Sequence, residues 1–134
     1  LTVDNADIAE AGGVATLTAT LSEAATTDVT VTLGYSGTAT DADDYTASDT
    51  QIVIATGATS GSVTVTAVDD AIDDNAETVI VDITGVTGAS ENGEQQATTT
   101  DTKDDEPSVL VNVCWSGDNE ENAEAGGVAT FTAT

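Results

Sequence analysis

Residues 69 to 77 read Asp-Asp-Ala-Ile-Asp-Asp-Asn-Ala-Glu, five carboxylates in nine residues with no lysine or arginine nearby. Like charges so close repel by about 1 kcal/mol per pair in water, and by more near a protein surface. A multivalent cation removes that cost. Carboxylates with a backbone carbonyl make a hard, all-oxygen donor set, which suits Ca²⁺ with its roughly six to eight flexible positions better than a transition metal. Taken alone, the stretch reads equally well as a solvated acidic turn in an acidic protein.

Other chemistry has little to stand on. The chain has no histidine, one cysteine (Cys114), no glycine-rich phosphate loop and no serine beside a base. Carboxylate pairs serve glycosidases, but these crowd one loop without an aromatic cleft to hold a sugar. The sequence therefore predicts no enzyme. With 25 Asp plus Glu against one Lys and no Arg, the net charge is −24, which excludes nucleic acid and anionic membrane surfaces as partners. No apolar run approaches a membrane span, so no direct membrane insertion is expected. Apolar residues make up 39% and aromatics only 3%. That is too apolar for a disordered acidic tail, and the core must be built from Ala, Val, Ile and Leu.

The elements that must position the carboxylates follow from alternation with a period of two. Leu1–Val3 opens as a short strand. Val14–Leu21 places Ala15, Leu17, Ala19 and Leu21 on one face and threonines on the other. Asp28–Tyr35 turns Val29, Val31, Leu33 and Tyr35 inward. A connection from 36 to 50 carries Asp41, Asp43, Asp44 and Tyr45. Gln51–Ile54 and Ser62–Val68 follow, then Thr78–Ile83 with Val79, Val81 and Ile83 inward. Asn92-Gly93 offers a hairpin turn before Gln95–Thr102. About seven short strands without helical periodicity predict an all-β, immunoglobulin-like antiparallel β-sandwich, although the Cys-Trp-Cys core of antibody domains is absent.

Strand direction turns the acids into a cluster. If successive strands alternate up and down, Glu10, then Asp41, Asp43 and Asp44, then residues 69–77, then Asp104, Asp105 and Glu106 all fall at one pole. The other pole receives mostly Ala, Thr, Ser and Gly. Acid added only for solvation would decorate the strand faces as well, so this sorting favours a metal site.

The segment Glu10–Thr20 returns as Glu124–Thr134, an offset of 114 residues with one difference, Leu17 against Phe131. This marks a tandem repeat: residues 1–107 form one sandwich unit and 108–134 the first two strands of the next, with about six extra residues around Cys114-Trp115. Trp115 is expected to cap the core of that second unit, Lys103 to be a solvated ion-pair partner, and the tail to pack on another chain or on the continuing array.

The Glu-x-Gly-Gly turn at 10–13, Asp-Asp-Tyr at 43–45, Asp-Asp-x-Ile-x-Asp-x-x-Glu at 69–77 and Asp-Asp-Glu-Pro at 104–107 resemble the Calx-β domain over nearly all of residues 1–107. The resemblance implies an immunoglobulin-like fold that binds Ca²⁺ at one pole, in a family that includes calcium sensors of sodium–calcium exchangers and repeats of large bacterial surface proteins. It implicates Glu10, Asp44, Asp69, Asp70, the main-chain carbonyl of Ile72, Asp74, Glu77, Asp104 and Asp105 as ligands. Asp73, Asp101 and Glu106 have no firm counterpart. The expected role is a calcium-stabilised spacer repeat of a long bacterial surface protein, an adhesin stalk or filament, secreted and extracellular, with calcium ions and neighbouring copies as partners. The alternative is a carbohydrate- or protein-binding module, or a calcium sensor.

Overall fold

The computed structural model of the chain describes residues 1–69 and 75–102. Nine strands lie among them: β1 (Thr2–Val3), β2 (Asp7–Ala9), β3 (Val14–Thr20), β4 (Val29–Gly37), β5 (Tyr45–Ala47), β6 (Gln51–Ile54), β7 (Ser60–Ala67), β8 (Glu77–Thr87) and β9 (Gln96–Thr102). They form two sheets, one ordered β1-β3-β7-β5 and the other β2-β9-β8-β4-β6. The architecture is the all-β, immunoglobulin-like sandwich.

Alternation sets which side chains fill the space between the sheets. Leu17, Val29, Ile52, Ile54, Val65, Val79 and Val81 are all but fully buried. Ala15, Ala19, Ala67 and Ala97 fill the gaps between them. Threonines occupy most outward positions of β3, β7 and β9, where β-branched side chains suit the pleat.

Two strands were not expected. In β2 the segment between the opening strand and the Gly12-Gly13 turn crosses to the other sheet and pairs in parallel with β9, Ile8 standing opposite Asp101. Its only inward apolar residue is Ile8, so the sequence offers no alternation to read. β5 has the same weakness, with Tyr45 inward and two small neighbours. β8 runs past Ile83 to Thr87 because Thr32 pairs with Gly85 while Leu33 pairs with Ile83, leaving Thr84 as an extra residue in a bulge. Asn92-Gly93 does not make a two-residue hairpin: it lies in a longer connection in which Gln95 donates from its backbone N–H to Glu91 Oε1 (3.1 Å) and from Nε2 to Asn92 O (2.9 Å). Ile83 and Tyr35, both expected inward, are only partly buried against the core.

Candidate metal centre

Among the described residues the acidic pole is built from the turn after β2, the connection after β4, the residues that follow β7 and the end of β9, tied together by backbone hydrogen bonds. In the turn after β2, Gly13 N–H donates to Ala9 O at 2.8 Å, and Ala67 N–H at the end of β7 donates to Gly13 O at 2.9 Å. The two glycines serve different ends. Gly12 has φ +77° with open space around it, whereas a Cβ on Gly13 would lie 2.5 Å from Ala9 N. Glu10 N–H donates to Thr102 O at 3.2 Å, which fixes the turn to the end of β9.

Asp44 closes the connection between β4 and β5. Its backbone N–H donates to Thr40 O (2.9 Å), and its Oδ2 accepts from Thr40 N–H (2.6 Å). Val68 N–H donates to Asp44 O at 2.9 Å, which brings the residue before Asp69 against this turn. Asp44 and Asp69 are thus held at the same end of the sandwich.

On the other sheet, Glu77 is paired directly with Asp101 across β8 and β9, and Asp101 with Ile8 across β9 and β2. Parity decides where these side chains point. Asp101 continues the buried row of Ala97 and Thr99, Glu77 the row of Val81 and Val79, and Glu10 lies two residues beyond buried Ile8. Glu10 and Asp101 are each 7% exposed. Carboxylates reach such burial only when paired or coordinating, and all the donors here are oxygen, the chemistry of a Ca²⁺ site. The inward-facing rows of the core end in carboxylates.

Of the nine residues expected as ligands, Glu10, Asp44, Asp69 and Glu77 are at this pole. Asp70, Ile72, Asp74, Asp104 and Asp105 lie outside the described residues, as do Lys103, Cys114, Trp115 and the whole tail from 103 to 134. Among the described residues no three His, Cys, Asp or Glu side chains converge closely enough to hold one metal ion. Asp101 was not among the expected ligands. Its signal was parity: it shares the inward face with Ala97 and Thr99, which a threonine-rich strand hides because threonine occupies both faces.

The two tyrosines pack between the sheets, with ring centroids 6.2 Å apart. Tyr45 is buried and Tyr35 donates its hydroxyl to Asp49 O at 2.8 Å. Burial, then Tyr45, Asp49 and Asp41, pushes the Tyr35 hydroxyl up to about 12, and burial followed by Asp41 raises Tyr45. Both are packing residues. At the opposite pole Asp28 Oδ1 accepts from Thr56 N–H (2.8 Å) and Oγ1 (2.9 Å), and the backbone donor foremost holds its carboxyl below the usual range.

The family model described as "Calx-beta domain" matches residues 1–106. Among solved structures, the calcium binding domain CBD12 of CALX1.1 and CBD12 from CALX1.2 each align with TM-score 0.65 at 16% identity, covering 78% of this chain. The chain spans 44% of the length of either. No curated protein matches the sequence. These matches overturn the secreted, extracellular location expected from composition: the structures it resembles are exchanger calcium-binding domains, not domains of a secreted surface protein. Abundant acid and threonine report how a surface is solvated, not the compartment. Among the described residues no helix is long and apolar enough to cross a membrane.

Proposed function

The chain belongs to the Calx-beta domain family, and on that premise we propose that its acidic pole is a calcium site of the sensor kind. The domain is a non-catalytic, calcium-binding structural module. The observation that carries the reading is the pole itself: the turn after β2, the connection after β4, the residues that follow β7 and the end of β9 meet there, and the core rows end in Glu10, Glu77 and Asp101. Glu10, Asp44, Asp69, Asp70, the carbonyl of Ile72, Asp74, Glu77, Asp104 and Asp105 would hold the ion, with Asp101 at its inner edge. Bound Ca²⁺ would supply the charge that lets these oxygens share a small volume. Residues 1–107 form the unit and 108–134 begin the next. Pro107 restricts the backbone between them, so an ion held by Asp104 and Asp105 ties the link to the body of the first unit. A sensor needs that coupling, and so does a stiff spacer. The matches favour the sensor, and none of them favours a bacterial adhesin stalk.

Calorimetric titration with Ca²⁺ tests the reading. Saturable binding that Asp70→Asn and Glu77→Gln each weaken by about tenfold or more is expected, because charged oxygen ligands set Ca²⁺ affinity. An isotherm unchanged by both substitutions would sink the site.

A further inference from the structure

At the pole opposite the candidate metal centre a cavity of about 770 Å³ opens between residues of the two sheets. The cavity is walled by the half-buried Leu21, Ile83 and Val86, with the fully buried Val29 and Ile54 behind them. Its size falls within the roughly 300–1,000 Å³ of small-molecule pockets, and polar and apolar groups share its wall about equally.

The rim decides what fits. Glu23 and Glu91 stand on it, and among the described residues no lining side chain is basic. Glu91 is oriented by the Gln95 backbone N–H. A fatty acid would bring its carboxylate to two carboxylates on a chain of net charge −24. We propose that this cavity binds a cationic amphiphile, an apolar chain or ring system carrying one amine, with the apolar body against Leu21, Ile83 and Val86 and the ammonium between Glu23 and Glu91. The site uses none of the residues of the calcium reading.

Octylammonium, octanol and octanoate, equal in length and opposite in charge, separate the possibilities when titrated into the full chain by amide NMR. Expected are shifts confined to the cavity lining, with octylammonium binding about tenfold or more tighter than octanoate, the scale of one close charge pair. Glu23→Gln with Glu91→Gln should bring octylammonium down to the level of octanol. Asp7→Asn with Asp82→Asn, which removes the same charge elsewhere, should not. Ala25→Phe should abolish binding of all three, and Val86→Trp at the mouth serves if that variant does not fold. Equal binding of the three probes, no binding, or octylammonium shifts centred on the acidic pole would each overturn the proposal.

Discussion

The two poles of the sandwich both carry acids and use them differently. At the pole away from the site, Asp28 and Glu91 are capping groups, the first accepting from Thr56 and the second from the Gln95 backbone. They stand outside the inter-sheet space, and the inward rows beside them end in apolar side chains such as Leu21, Ile83 and Val86 around a cavity. At the other pole the inward rows themselves end in Glu10, Glu77 and Asp101. Counting acids does not separate a cap from a ligand. Their place in the inward and outward alternation does, because only a carboxylate that continues a buried row is removed from water by the fold.

The largest effect expected from this contrast is that of calcium on stability. An ion that binds only the folded form adds about 2.7 kcal/mol at a hundredfold excess over its dissociation constant. For a domain of this size that raises the melting temperature by about 10–20 °C. Thermal unfolding with Ca²⁺ and with chelator measures it, and coincident curves would remove the distinction between the poles. Next in size is its pole specificity: Glu77→Gln should remove more than half of the calcium-dependent increment, whereas Glu91→Gln should leave it whole. A loss of similar size from both would mean that net charge matters and position does not.

Smaller effects come from pH. The folded state holds the Asp28 carboxyl below its ordinary 3.8, so its contribution is present above that value and is lost as pH falls through the folded value. The Tyr35 hydroxyl, raised from 10.0 to about 12, works in the opposite sense: its contribution is present below 10 and is lost as pH rises towards 12. Asp28→Asn should flatten the acid limb of a stability curve and Tyr35→Phe the alkaline limb. The acid-limb change should be the same with and without calcium, since Asp28 lies at the far pole.

The sequence carried the sandwich because Val14–Thr20, Val29–Leu33 and Ser62–Ala67 alternate cleanly over several residues. β2 and β5 escaped it, each having a single inward apolar residue, Ile8 or Tyr45. Loop parity brought Glu10, Asp44, Asp69 and Glu77 to one pole, since direction reverses at every antiparallel turn. Asp101 was not legible as a neighbour of Glu77. That pairing depends on the register of β8 against β9, and threonines on both faces of β9 leave the register unmarked. The cavity was equally hidden, because Ile83 has the same inward parity as Val79 and Val81 and nothing in the alternation marks it as only partly buried.

The smallest expected effect concerns one residue of the acidic pole. Among the described residues, every backbone position with a clearly left-handed φ is glycine except Ala42, at φ 72° between Asp41 and Asp43. Its N–H donates to Tyr45 O at 2.8 Å, and the Asp44 turn follows directly, so the strained residue sits in the loop that presents Asp44. A left-handed conformation costs an L-residue about 1–2 kcal/mol. Glycine removes that cost but gives up about 0.5–1 kcal/mol to the greater freedom of its unfolded chain. Ala42→Gly should therefore stabilise the calcium-free domain by up to about 1.5 kcal/mol, read as a shifted urea midpoint with unchanged slope. Strain kept at a binding loop is consistent with a loop pre-set for its ligand. In that case the same substitution loosens the loop and weakens calcium binding while it stabilises the fold. A midpoint that rises with calcium affinity unchanged would show that Ala42 fixes the path of the chain and has no part in holding the ion.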